Sequence, residues 1–131
     1  MQISKSEFHQ YLSEYTEDEI FYRNIYLQKK EHPETFQEYL HSLDPDYIRD
    51  RRLYVPELRQ EPWFPYLGEN DMFANIPENI IISKHYRYTP EFTHKHDFFE
   101  ILCVYDGTVN NQIQGIHHTL HTGDICIIPP N

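Results

Sequence analysis

Three side chains able to bind metals or accept hydrogen bonds fall within seven positions: His94, His96 and Glu100. On one straight strand they would share a face, but at roughly 3.3 Å per residue Glu100 would lie about 20 Å from His94. A shared ion needs its ligands about 2.0–2.2 Å from one point, so the chain must bend between them. Asp97, a residue type that favours turns, follows the second histidine. We therefore expect the histidines at the end of one strand and Glu100 on the next.

Two kinds of chemistry are open to these side chains. Imidazole and carboxylate ligands suit Zn, Fe, Mn or Ni, with positions left for a substrate. The alternative is a polar lining that hydrogen-bonds a small molecule, helped by Tyr88 and by Arg87 as an anion clamp. We predict a ligand-binding site of His94, His96, Glu100, Arg87 and Tyr88 and expect no cofactor. A divalent transition metal on His94, His96 and Glu100 is the competing interpretation.

A second histidine cluster lies further along, at His117, His118 and His121. Alternation along a strand puts His117 and His121 on one face and His118 on the other. A single site using all three would need a distorted strand. We interpret them as surface histidines.

Short apolar runs separated by glycines must position the candidate site. Strands are predicted over residues 80–88, 100–105, 108–113, 116–120 and 125–128, and the intervening turns contain Gly107, Gly115 and Gly123. These glycines are each eight residues apart. Such spacing predicts an antiparallel meander that closes into a barrel or sandwich to bury its apolar face.

The N-terminal region has apolar residues at helical spacing. Ser4 with Glu7, and Thr16 with Glu19, form capping boxes that open two helices. A third apolar stripe follows Pro33 and a short helical turn is expected over residues 46–50. We assign these stripes to packing. The exposed positions carry mainly Glu, Asp and Gln, which excludes a helix-turn-helix reading.

Prolines dominate residues 52–77, where the only tryptophan lies in a Pro-Trp-Phe-Pro-Tyr run at 62–66. This spacing argues against a regular helix or a central strand. We expect the aromatic side chains of this connector to anchor it on the core. An aromatic wall over a pocket, or a dimer contact, is the alternative.

Composition narrows the functional classes. A chain of 131 residues is one domain's worth, and 39% hydrophobic and 15% aromatic residues predict a globular fold. A net charge of -10 disfavours binding to a duplex phosphate backbone. Cys103 and Cys126 are expected to be buried free thiols in a reducing compartment. No leader or membrane span is recognisable, so we expect a cytoplasmic protein with no membrane contact.

Residues 79–131 resemble the first motif of cupins, and within cupins the N-terminal sensing domain of AraC-type transcription regulators. The matching residues are His94-Lys95-His96-Asp97-Phe98-Phe99-Glu100-Ile101, the strand ending at Asp106-Gly107, and Gly123-Asp124-Ile125-Cys126-Ile127-Ile128-Pro129-Pro130-Asn131. The resemblance implies a small β-barrel that binds an effector, forms a homodimer and signals to a C-terminal DNA-binding unit of two helix-turn-helix motifs. The effector would be a small molecule, a sugar or another polar metabolite.

Two features expected from the family are absent. Cupins usually supply a further histidine after the Pro-Pro turn, and the DNA-binding unit is missing, so we expect a fragment of a longer regulator that contacts DNA only through that unit. The predicted fold is α+β, with short N-terminal helices packed on an antiparallel cupin-like (jelly-roll) β-barrel that is incomplete at the C-terminus. We divide the chain into a helical segment (1–50), a Pro/aromatic-rich connector (51–78) and the cupin-like meander (79–131).

Two other functions compete with the sensing domain. One is a small metal-dependent cupin enzyme, an isomerase or dioxygenase, using His94, His96 and Glu100. The other is an interaction domain whose barrel is filled by side chains and binds no ligand.

Overall fold

The structure is a computed structural model that describes residues 2–59 and 66–131. Its contacts divide the chain into two compact units. The first comprises residues 1–63 and 81–92, and the second comprises residues 64–80 and 93–131. We describe each unit by itself, calling the first the helical unit and the second the strand unit.

The helical unit begins with the helices that the capping boxes predicted. Its helices are α1 (Lys5–Ser13), α2 (Glu17–Glu31), α3 (Phe36–Ser42) and α4 (Pro45–Asp50), followed by a 3-10 turn at Pro56–Leu58. Both capping boxes are present, and in the second Thr16 Oγ1 accepts from the Glu19 amide at 3.2 Å while Glu19 Oε2 accepts from the Thr16 amide at 3.1 Å. The local sequence therefore fixes where α1 and α2 begin.

Apolar side chains from α2, α3 and α4 and from the residues after α4 form one buried cluster. Its members are Tyr22, Ile25, Phe36, Leu40, Ile48, Leu53 and Val55. The hydroxyl group of Tyr22 also accepts a hydrogen bond from the Tyr54 amide at 2.9 Å. The interpretation of the helical stripes as packing surfaces is confirmed for α2 and α3, whereas α1 has no buried residue.

The strand predicted over residues 80–88 is wrong. These residues have no strand conformation, a turn lies at Arg87 and Tyr88, and Tyr88 has a φ of +64°. The side chains of Lys84 and Arg87, which are three positions apart, both bind the buried carboxylate of Glu19. In a strand, side chains three positions apart point to opposite faces, so a strand would not allow both contacts.

The connector also contains more regular structure than its prolines suggested. The strand β1 (Tyr66–Leu67) and the helix α5 (Glu69–Phe73) lie between the prolines. Both are short, so they fit in the intervals that the prolines leave free. The predicted anchoring by Trp63 and its neighbours concerns residues 60–65, which lie outside the described residues.

The strand unit contains, after β1 and α5, five further strands among the described residues. They are β2 (Lys95–His96), β3 (Glu100–Cys103), β4 (Thr108–Ile113), β5 (Ile116–His121) and β6 (Ile125–Ile128). β1 pairs with β2 in parallel, β3 with β6 antiparallel, and β4 with β5 antiparallel. Helices followed by antiparallel strands are therefore observed, and no closed barrel is formed by the part of the chain described.

The antiparallel strands form one long hairpin rather than a meander. β3 continues into β4 on one arm, and β5 continues into β6 on the other. Between the paired stretches, residues 104–107 face residues 122–124, so one arm has an extra residue. Backbone bonds from Gly123 to Val104 (2.8 Å) and from Val104 to Asp124 (3.0 Å) join the arms there. Asp106-Gly107 is thus a bulge in an arm, not the hairpin turn that we predicted.

The turn predicted at Gln114-Gly115 is confirmed and closes this hairpin. Ile113 pairs with Ile116, which leaves a loop of two residues. Both loop residues have positive φ, +50° at Gln114 and +81° at Gly115. A two-residue type I′ hairpin turn requires positive φ at both loop positions, and glycine adopts positive φ without steric cost.

The hairpin leaves apolar side chains on its surface. Ile101, Ile125 and Ile127 are 60–65% exposed. Cys103 shares their face of the β3/β6 pair and is exposed, whereas Cys126 is half-buried. Both thiols are free, but the expectation that both are buried is wrong, because Cys103 occupies an outward position of β3.

Candidate functional site

The bend predicted after the histidine pair is present. His96 ends β2, residues 97–98 turn, and Glu100 begins β3. Asp97 in the turn accepts a hydrogen bond through Oδ1 from the Glu69 amide at the start of α5. The turn brings Nε2 of His96 to 3.3 Å from Oε2 of Glu100. This pair is the part of the predicted site that the structure brings together.

His96 is held on several sides. Its side chain is nearly inaccessible, with a relative exposure of 5%, and its ring stacks on Phe98 with centroids 4.9 Å apart. Nδ1 lies 2.7 Å from the carbonyl oxygen of Phe98, and the His96 carbonyl accepts from the Asn131 amide at 3.1 Å. Phe98 in turn packs edge-on against Phe73. The imidazole therefore has a fixed position and orientation.

The hydrogen-bond partners determine what this imidazole does. A carbonyl oxygen only accepts, so Nδ1 of His96 must carry the proton. In the neutral ring, Nε2 is then a bare acceptor beside the Glu100 carboxylate, and two adjacent acceptors suit a ligand that donates hydrogen bonds. In the charged ring, Nε2 donates a hydrogen bond to Glu100, so the two side chains bind each other. Glu100 keeps 32% of its side chain exposed, which leaves it accessible to a ligand.

The ring of His94 lies near that of His96, with centroids 6.1 Å apart. Within the described residues, no group of three or more His, Cys, Asp or Glu side chains is arranged to hold a metal ion. The donor set seen here is thus one imidazole and one carboxylate, which gives a metal centre on His94, His96 and Glu100 no geometric support.

Arg87 and Tyr88 lie in the helical unit, whereas the histidines and Glu100 lie in the strand unit. A terminal nitrogen of Arg87 donates to Oε2 of Glu19 at 3.0 Å and to the Glu14 carbonyl at 2.9 Å. The Tyr88 ring packs against Tyr26, with centroids 5.2 Å apart. Both predicted ligand-binding residues therefore have partners inside the helical unit.

The residue on which these contacts converge, Glu19, was not predicted from the sequence as a site residue. Glu19 is 0% exposed and receives Lys84 Nζ at 3.0 Å as well as Arg87. Burial raises the pKa of its carboxyl, but hydrogen bonds from Arg87, Lys84 and Thr16 outweigh burial, so the pKa lies below its ordinary value. The sequence signal was the capping box, which identified Glu19 as a helix cap and gave no sign of its burial.

The second histidine cluster has the arrangement expected from alternation. His117 and His121 lie on one face of the β4/β5 pair, opposite Gln112 and Thr108, and His118 lies on the other face. Thr119 donates to Asn110 Oδ1 at 3.0 Å on the same polar face as His117. All three histidines are exposed, as surface histidines should be.

Residues 78–131 match the family model described as AraC-like ligand binding domain. The match covers the bend, the His96–Glu100 pair and the long hairpin, and it confirms the resemblance seen in the sequence. No curated protein and no solved structure matches the chain. The C-terminal part of this chain is therefore similar to the domains that bind ligands in AraC-type proteins. Among the described residues, no helix has the length and apolar character needed to cross a membrane.

Proposed function

We propose that this chain is the effector-sensing domain of an AraC-type transcription regulator. One observation carries the proposal: the match to an AraC-like ligand binding domain contains the buried His96 and its partner Glu100 at 3.3 Å. A buried, oriented imidazole beside an accessible carboxylate is suited to recognition of a small polar molecule. No cofactor is needed for this role, and the chain acts by binding, with no catalysis of its own.

The acceptor pair favours one kind of effector. With the His96 ring in its neutral form, Nε2 of His96 and the Glu100 carboxylate both accept hydrogen bonds, so the effector should donate at least two, through hydroxyl or amino groups. A sugar or another polyhydroxylated or amino metabolite meets this requirement. Arg87 and Tyr88 remain proposed contributors, although their observed partners are Glu19, Glu14 and Tyr26.

A binding experiment tests this site directly. Monosaccharides, polyols and small amines are titrated into 15N-labelled protein while the amide resonances of His96 and Glu100 are followed. We expect saturable shifts with one chemical class, and Glu100→Gln should weaken that binding by about tenfold, because a bond to a charged acceptor becomes a bond to a neutral one. The matched control is His117→Ala on the exposed face of β5.

Two outcomes would contradict the proposed site. One is that no compound of the panel gives a saturable shift at either residue. The other is that the saturable shifts map to the helical unit and are unchanged by Glu100→Gln.

Dimerisation and DNA binding are proposed on the resemblance. The chain should sediment as a homodimer, and its gene should continue past Asn131 with further strands and then a basic helix-turn-helix unit. We propose a cytoplasmic location for the same reason. Reading the frame downstream of Asn131 tests the regulator assignment, and an immediate stop codon would overturn it.

A further inference from the structure

Residues 81–92 cluster with the helical unit, although the residues on both sides of them along the chain belong to the strand unit. We call residues 81–92 the strap. It contributes no residue to the buried apolar cluster of the helical unit. Ile82 on the strap is 84% exposed. Apolar contact is limited to rings at the C-terminal end of the strap, where Tyr88 packs against Tyr26 and Phe92 packs against Tyr54, with centroids 5.2 and 5.9 Å apart.

Polar contacts to one carboxylate hold the middle of the strap. Lys84 Nζ lies 3.0 Å from Glu19 Oε1, and a terminal nitrogen of Arg87 lies 3.0 Å from Glu19 Oε2. The Arg87 amide also donates to Glu19 Oε1 at 3.3 Å. Lys84 is 6% exposed and Glu19 is fully buried, so these charges depend on one another for compensation.

The same two cations close the end of α1. Arg87 donates to the carbonyl of Ser13 at 3.1 Å and to that of Glu14 at 2.9 Å, and Lys84 also donates to the Glu14 carbonyl. Positive charge is favourable at a helix C-terminus, where carbonyl groups lack helical partners. The Arg87 guanidinium also covers the Tyr15 ring at 3.8 Å.

We propose that Glu19 is a latch that holds the strap on the helical unit and that the strap opens as a unit while the helices remain folded. No strap residue belongs to the apolar cluster, so opening leaves the members of that cluster in contact with one another. The closed state is also imperfect, because Nε of Arg87 is buried without a hydrogen-bond partner. The strap runs along the chain directly into Thr93 and His94, so its opening changes the freedom of the segment that carries the candidate site.

Hydrogen exchange of the whole chain, followed by mass spectrometry, tests the latch. In Glu19→Gln we expect exchange of strap amides, above all that of Arg87, to accelerate by at least about tenfold and to be faster than exchange of the amides of α2–α4, which become accessible only when the helices unfold. The control is Glu17→Gln, which removes an exposed carboxylate from the same first helical turn. It should leave strap exchange unchanged.

A second variant acts from the strap side and leaves the helix cap intact. Arg87→Gln should accelerate strap exchange in the same selective way, and it decides the question if Glu19→Gln fails to fold. Unchanged strap exchange in the folded variants would overturn the latch. Strap amides that exchange no faster than those of α2–α4 in these variants would also overturn it, because the strap would then open only together with the helices. The test uses ligand-free protein, so its outcome is independent of the proposed effector site.

Discussion

Nε2 of His96 lies 3.3 Å from Oε2 of Glu100, although the two residues lie on different strands separated by a turn. The opposite ring nitrogen bonds to the Phe98 carbonyl at 2.7 Å, so the imidazole is oriented by the turn it closes. A side chain in this position supports the local fold, and we propose that it also contacts the ligand. Its two roles predict different consequences of substitution.

His96→Ala should destabilise the protein by about 2 kcal/mol, because it removes a buried ring together with its two polar contacts. Chemical denaturation at neutral pH measures the change in the free energy of unfolding. His117→Ala, at an exposed position of β5, should change that free energy by less than about 0.5 kcal/mol. Equal effects of the two substitutions would show that burial of His96 is not what stabilises the turn.

Glu19→Gln should remove a pH-dependent part of the stability. The pKa of Glu19 is lowered in the folded state, since bonds from Arg87, Lys84 and Thr16 outweigh the opposing effect of burial. Its contribution is therefore complete above the unfolded pKa of 4.5 and is lost as the pH falls through the lower folded pKa. The difference in unfolding free energy between wild type and Glu19→Gln should shrink on acidification below 4.5.

A double-mutant cycle serves as the control for this prediction. Arg87→Gln should destabilise the wild type more than it destabilises Glu19→Gln, because in the latter its charged partner is already gone. The two substitutions are directly coupled only if the sum of the single effects exceeds the effect of the pair. Strict additivity would contradict the assignment of Glu19 as the partner of Arg87.

Gly115→Ala should destabilise the long hairpin by about 1 kcal/mol. A methyl group at this position meets no atom within 4 Å, so the cost comes from the positive φ of +81° and not from a clash. Gln114→Asn should have the opposite effect, a gain of about 0.5 kcal/mol, since asparagine tolerates the φ of +50° better. Thermal unfolding of both variants checks the two signs, and a stabilising Gly115→Ala would exclude the observed turn.

Tyr22→Phe should cost about 1 kcal/mol, because the Tyr54 amide loses the hydroxyl that accepts its hydrogen bond at 2.9 Å. Burial raises the pKa of Tyr22, and the nearby charge of Asp18 adds to this, whereas the bond from Tyr54 opposes it. In an absorbance titration, Tyr22→Phe should therefore remove a tyrosine that ionises above pH 10. Tyr11→Phe, at a 55% exposed position, is the matched control for stability.

The elements that the sequence predicted best are those fixed by neighbouring residues. The capping boxes at Ser4 and Thr16 and the turn at Gln114-Gly115 each depend on a few adjacent residues, and all three are present in the structure. The bend between His96 and Glu100 was predicted from a distance argument over seven residues. In each case the physical constraint acts between residues that are close together in the sequence.

The features that the sequence did not predict depend on contacts between distant residues. Residues 80–88 have a strand-like composition, yet Lys84 and Arg87 bind Glu19 more than sixty positions earlier. The pairing of β3 with β6 likewise exceeds the reach of a pattern that detects adjacent hairpins. A buried carboxylate and a long-range strand register depend on contacts in the folded chain, so local periodicity does not predict them.

The long hairpin also determines when the candidate site is complete during synthesis. Glu100 pairs with Ile128 at the end of the hairpin away from the turn, and the carbonyl of His96 accepts a hydrogen bond from the amide of Asn131. A nascent chain can close the tight turn at Gln114-Gly115 at once, and the arms can then join outward from it. Glu100 gains its strand neighbour only after Ile128 has left the ribosome. The residues proposed to recognise the effector thus acquire their native surroundings later than the tight turn does.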